Sequence, residues 1–182
     1  FVMKWTLRIV LLALLIGLGA WLWFYLHPSP QEAIRRQLNG LAEVASFEAG
    51  EGLIGRASAA QKLAGYFTTE VTMNIEPRGI FPEQISRVEI AEQALYLRMQ
   101  KGIRSFKVKI LDPVITMGAD NKSAIVEVTL HAETEGEKHL IVQEMKFMMR
   151  AVEEDWLILR METVRTLNRA PVLRPIELFP AT

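Results

Sequence analysis

The stretch at residues 139–167, HLIVQEMKFMMRAVEEDWLILRMETVRTL, most constrains what this chain can fold into. Ile141, Gln143, Met145, Phe147 and Met149 alternate with Glu144, Lys146 and Arg150. Beyond an acidic turn, Leu157, Leu159, Met161 and Thr163 alternate with Arg160 and Glu162. Side chains alternate faces along a strand, so this is a hairpin with one apolar and one charged face. A loop of Val152-Glu153-Glu154 would oppose Lys146 to Arg160 and Glu144 to Glu162, pairing like charges. A loop of Glu153-Glu154-Asp155 sets Lys146 opposite Glu162. We expect the latter, with Asp155 left-handed.

A second feature is separate from any globular fold. Lys4 and Arg8 precede an uncharged run from residue 9 to residue 26. As a helix this run spans about 27 Å, close to a bilayer's hydrocarbon thickness. Trp5 stands at one end and Trp21, Trp23 and Tyr25 at the other, as interfacial aromatics do. Ala13 and Gly17 share a face along which another helix can approach. No Ala-x-Ala site follows, so residues 1–27 read as an uncleaved anchor contacting the lipid bilayer. The basic leader favours a cytoplasmic N-terminus. The expected location is therefore a bacterial inner membrane, single-pass, with the domain periplasmic.

The chain has 182 residues and no cysteine, which excludes disulfide and thiolate chemistry. All 21 acidic residues follow the apolar run, whereas Lys4 and Arg8 precede it. The domain is thus slightly acidic and lacks the footprint of a nucleic-acid binder.

Three serines announce helices. Ser29-Pro30-Gln31-Glu32 is a capping box with proline at the first helical position, ahead of Ile34, Leu38 and Leu41. Ser58-Ala59-Ala60-Gln61 predicts a cap for a shorter helix with Ala60, Leu63 and Phe67 on one side. Ser86-Arg87-Val88-Glu89 predicts a third, with Val88, Ala91, Leu95 and Met99 inward. Between the second and third helices, Val71, Met73 and Ile75 alternate as a short strand. Phe106, Val108 and Ile110 then alternate with lysines until Asp112-Pro113, which implies a bulge or an edge. Ala124, Val126, Val128 and Leu130 form the next strand. Pro171, Pro175 and Pro180 make residues 168–182 an extended tail, apolar enough to dock on a surface.

This order, with AGYFTTEVTMNI at residues 64–75, the helix at 86–100 and WLILRMETVRTL at 156–167, resembles the nuclear transport factor 2-like, or SnoaL-like, superfamily. The resemblance implies an α+β domain over residues 28–167. Three helices would pack on a strongly curved antiparallel sheet, a cystatin-like roll, behind one transmembrane helix. It also implies a pocket on the concave side, but no activity, since that fold carries enzymes and scaffolds alike. A membrane helix ahead of such a domain also looks like the inner-membrane assembly factor of type IV secretion systems, in architecture alone.

Enzymes of the resembled fold place a carboxylate, often with histidine or tyrosine, inside the cone. Here the expected lining is Tyr66, Phe67, Gln143, Met145, Phe147, Met149, Met161 and Thr163. Tyr66 and Asp112 are the titratable candidates near it. Their plainer roles are a core aromatic and a bulge residue. His27, His131 and His139 lack metal-ligand spacing, so neither metal nor other cofactor is expected. The reading is a non-catalytic cone domain that joins other subunits of a membrane complex, or a homodimer, through its sheet face or tail. The alternative is a carrier of a small apolar ligand, or an isomerase or hydrolase using the pocket.

Overall fold

The computed structural model describes residues 14, 16–19, 29–76, 82–100, 103–135 and 140–168. Three helices, α1 (Pro30–Ala45), α2 (Leu53–Ala64) and α3 (Arg87–Met99), accompany six strands. These are β1 (Phe67–Asn74), β2 (Gln84–Ser86), β3 (Ser105–Met117), β4 (Ser123–Glu135), β5 (Leu140–Val152) and β6 (Asp155–Asn168). They form one sheet in the order β2-β1-β6-β5-β4-β3. The architecture is α+β, as expected. The sheet is mixed and not antiparallel throughout, because β1 runs parallel to β6. Parallel neighbours need a long crossover. Here α3 and three long strands intervene between the two.

The β5–β6 hairpin keeps the expected pairing of Lys146 with Glu162. Its turn differs from expectation. Val152 pairs with Asp155, leaving a two-residue turn at Glu153-Glu154. Glu153, not Asp155, is left-handed, with φ of 58°. A register shift between Met148 and Met149 then restores the expected alignment, because Met149 opposes Ile158 and Met148 opposes Arg160. One extra residue in a strand exchanges its two faces. Near the turn, Trp156 and Ile158 therefore join the hydrophobic core, and Leu159 does not. Beyond the bulge Met161 packs against the core as expected.

Two of the three expected caps form. Ser29 caps α1, its hydroxyl accepting from Glu32 N at 3.3 Å, with proline in the first turn. Glu32 does not complete the box; its carboxylate pairs with Arg36 at 3.0 Å. At α3 the box is complete. Glu89 N donates to Ser86 Oγ at 3.2 Å and Ser86 N donates to Glu89 Oε2 at 2.7 Å. Ser58 is no cap, because it lies inside α2, which starts at Leu53 behind an N-cap at Gly52. Gly50, at φ of 102°, makes the turn that frees Gly52 to serve, and glycine costs little at that position. Accordingly, Ser86→Ala should destabilise the domain by about 0.5–2 kcal/mol in denaturant unfolding, and Ser58→Ala by a few tenths at most.

Burial corrects α3 as well. Its inward residues are Ile90, Ala91, Ala94 and Arg98, whereas Val88 and Met99 are exposed. The core joins Ile34, Leu38 and Leu41 of α1 to Val126, Val128, Met145, Phe147 and Met149 of the sheet.

Among the described residues no helix is long and apolar enough to cross a membrane. Of the expected anchor, Gly17 is helical; Trp5, Arg8, Ala13, Trp21, Trp23 and Tyr25 lie outside the described residues. So do residues 169–182 of the expected tail.

Candidate functional site

Register decides what the inner, helix-covered face can offer. Val126 opposes Phe147, which opposes Met161; Val128 opposes Met145, which opposes Thr163. Met145, Phe147 and Met149 are at most 3% exposed, and Phe67 is also buried. They pack on one another and on α1. This half of the expected lining is core.

Tyr66 packs beside that core. A Cβ placed at Gly40 would lie 2.5 Å from the Tyr66 hydroxyl oxygen, so the phenol sits against the backbone of α1. Burial pushes its pKa up, and the nearby charges of Glu43 and Asp155 add to the shift. Tyr66 is thus a neutral phenol at physiological pH, suited to packing and not to proton abstraction. Gly40→Ala should force ring and helix apart and cost about 1–3 kcal/mol, read as a lowered denaturation midpoint with an unchanged slope.

The polar members of the lining are occupied. Gln143 Nε2 donates to Glu76 O at 3.1 Å, and Glu76 N donates to Thr163 Oγ1 at 3.1 Å. Thr163 in turn donates to Met145 Sδ at 3.5 Å. Gln143 and Thr163 thereby fasten the chain just past β1 to the far ends of β5 and β6. With Tyr66 and Met161 they are the half-buried members of the set.

Asp112 takes no part in the inner face. It is exposed, left-handed at φ of 51°, and sits in the bulge where β3 slips against β4 between Leu111 and Val114. Its conformation answers Pro113, which cannot donate to a ladder. The charged face is as expected: Lys146 lies 4.0 Å from Glu127, and Arg160 pairs with Glu162. His131 is half-buried opposite Lys109; His27 and His139 lie outside the described residues. Among the described residues no three His, Cys, Asp or Glu side chains could hold a metal ion.

The residue that sequence reasoning missed is Arg98. Its side chain is 2% exposed. It pairs with Glu51 at 3.0 Å, donates to Val44 O and Ser46 O, and stands 5.0 Å over the Phe47 ring. Phe47 exchanges backbone hydrogen bonds with Phe106 at the start of β3, and Ser46 Oγ accepts from Val108 N at 2.9 Å. One guanidinium thus ties α3 to the end of α1, its following loop and the edge of the sheet. An open cleft of about 330 Å³ lies beside it, lined by Glu43, Ser58, Lys62 and others. Arg98 is already committed to its partners there, and the remaining charges are exposed.

No protein-family profile matches the chain, and no curated protein matches its sequence. Solved structures do. A candidate scytalone dehydratase from Novosphingobium aromaticivorans superposes with a TM-score of 0.58 at 15% identity, over 80% of this chain and 92% of its own. A second protein from that organism, described as nuclear transport factor 2-like with a cystatin-like fold, gives 0.55 at 15%, over 82% and 88%. The fold is nuclear transport factor 2-like. A protein from Kribbella flavida gives 0.56 at 14% identity, over 77% and 93%. At such identities the likeness carries the fold and no chemistry, because this fold hosts unrelated functions.

Proposed function

We propose that the chain is a membrane-anchored, non-catalytic nuclear transport factor 2-like domain that acts as an interaction or assembly subunit of a bacterial membrane complex. The observation that carries this reading is the state of the inner face. Its apolar residues are packed core, and its polar residues Gln143 and Thr163 are spent on the backbone of Glu76. Catalytic sites of this kind need titratable groups that converge on an open pocket. Among the described residues the inner face brings no such pair together.

The anchor rests on the apolar run at residues 9–26. Leu14, Ile16 and Leu18 are helical and 63–67% exposed, and nothing in the domain lies within 4 Å of a Cβ placed at Gly17 or Gly19. Such a helix needs an apolar surrounding, which a bilayer provides. With the N-terminus cytoplasmic, the domain is periplasmic, and its sheet face and tail are available to other subunits or a second copy.

Two measurements test the reading. Protease added to intact spheroplasts should remove the domain beyond residue 30; protection until lysis would overturn the orientation. The detergent-solubilised full chain should elute with a stoichiometric protein partner or as an oligomer. A monomer carrying a stoichiometric small molecule in the domain would favour a ligand carrier instead.

A further inference from the structure

Three apolar side chains stand in water at one corner of the domain. Leu53 and Ile54 open α2 at 65% and 87% exposure, and Met99 ends α3 at 51%. The ion pair of Arg98 with Glu51, at 3.0 Å, brings the two helix ends together. Met99 follows Arg98, and Leu53 stands two residues after Glu51. Helix phase keeps all three outward. α2 buries only Ala60 and Ala64, and α3 buries Ile90, Ala91, Ala94 and Arg98. Single exposed apolar residues are ordinary on a surface, whereas a group of them marks a surface that something covers.

This corner lies near the point where the described residues end. Asn168 shares a row with Val142, His131 and Lys109. β6 runs antiparallel to β5 and β3 antiparallel to β4, so the end of β6 heads for the level of Phe106. Phe106 exchanges backbone hydrogen bonds with Phe47, and Arg98 stands 5.0 Å over the Phe47 ring. On a flat sheet Phe47 would lie four strand spacings and three residues from Asn168, about 22 Å, and curling of the sheet shortens that. Met99 and Leu53 are about 10 Å further, one long side chain and one or two residues away.

Residues 169–182 continue from Asn168. The ten residues to Leu178 extend to about 33–36 Å, so Leu178 and Phe179 arrive at the corner even by this longest path. Pro171, Pro175 and Pro180 favour an extended course and remove donors at short intervals. Such a segment suits docking by side chains and not by a ladder. We propose that residues 176–179 fold back on their own domain and cover the corner at Leu53, Ile54 and Met99. Ile176, Leu178 and Phe179 supply the apolar contacts. The outer sheet face then remains as the surface open to other subunits.

The chain has no cysteine, so two introduced thiols report only on each other. The full-length chain in detergent micelles carries Leu178→Cys with either Ile54→Cys or Val114→Cys. Val114 is 60% exposed on β3. At about 20 Å from Asn168 it is nearer than the corner, so an undocked tail meets it at least as often. Both pairs are oxidised at low protein concentration, and the disulfide within one chain is quantified by peptide mass spectrometry. The Ile54 pair should close about tenfold faster or more than the Val114 pair. Adding Ile176→Asp and Phe179→Asp should bring the two rates together, while the thermal melt followed by circular dichroism keeps its midpoint within a few degrees and so shows an intact fold. Equal rates for the two pairs without the aspartates would overturn the proposal. So would an Ile54 rate that the aspartates leave unchanged, or an Ile54 disulfide that forms only between two chains.

Discussion

Phe147→Ala should cost the domain about 3–5 kcal/mol. Phe147 is 0% exposed and lies at the centre of the inner face, between Val126 and Met161 on the neighbouring strands. Truncation leaves a void that cannot refill easily, because the flanking residues belong to a regular ladder and α1 covers them. A loss of this size is a large fraction of the 5–15 kcal/mol typical of a domain. Guanidinium unfolding followed by near-ultraviolet circular dichroism measures it. The same truncation at Met161, its half-buried neighbour on β6, should cost clearly less. If Phe147→Ala cost under about 1 kcal/mol, the ring would not be filling a closed core.

Glu51→Ala should be the second large effect, at about 3–5 kcal/mol, because it strands a buried charge. The Arg98 side chain is 2% exposed and that of Glu51 is 34% exposed. Loss of the carboxylate leaves the guanidinium with two carbonyl oxygens and an aromatic face, but no counter-charge. Arg98→Met is the milder change. It keeps much of the volume, and Glu51 is exposed enough to turn to water. The double variant should recover most of the loss of Glu51→Ala, since the stranded charge is gone. Three chemical unfolding curves supply this cycle. Glu51→Ala within a few tenths of the natural protein would mean that the pair holds nothing together.

Much of this molecule was legible in its sequence. Period-2 alternation placed Val126, Val128, Met145, Phe147 and Met149 on one covered face, and like-charge avoidance brought Lys146 opposite Glu162. Ser29 and Ser86 marked helix starts because a hydroxyl ahead of a helical stripe satisfies free N–H groups wherever it stands. Failures came where a distant partner decided the outcome. Ser58 carries the same local signature, but the turn at Gly50 lets α2 begin six residues earlier, with Gly52 as its N-cap. The face of α3 was misjudged because Arg98 turns inward to meet Glu51, 47 positions away. Val88 and Met99 are exposed as a result. Leu159 was misplaced because nothing local announces the bulge that exchanges the faces of β6. The parallel pairing of β1 with β6 is equally non-local.

The candidate site divides along the same line. That Met145, Phe147 and Met149 would line the inner face follows from alternation. That they would be closed core depends on Ile34, Leu38 and Leu41 arriving from α1. Gln143 and Thr163 looked available as the polar members of that face. Their engagement depends on where the backbone of Glu76 passes, which no local pattern encodes. Tyr66 needed the close approach allowed by Gly40 before its hydroxyl could be placed.

The central claim is that the inner face is packed core and not an open chemical site. A crystal structure of the protein determined under xenon pressure tests it most directly, since xenon occupies apolar space that a ligand could use. The account predicts no xenon among Met145, Phe147, Met149 and Val126, and Gln143 and Thr163 still bound to the backbone of Glu76. An ordered xenon atom against Phe147, or two titratable side chains converging in an open pocket on that face, would contradict it.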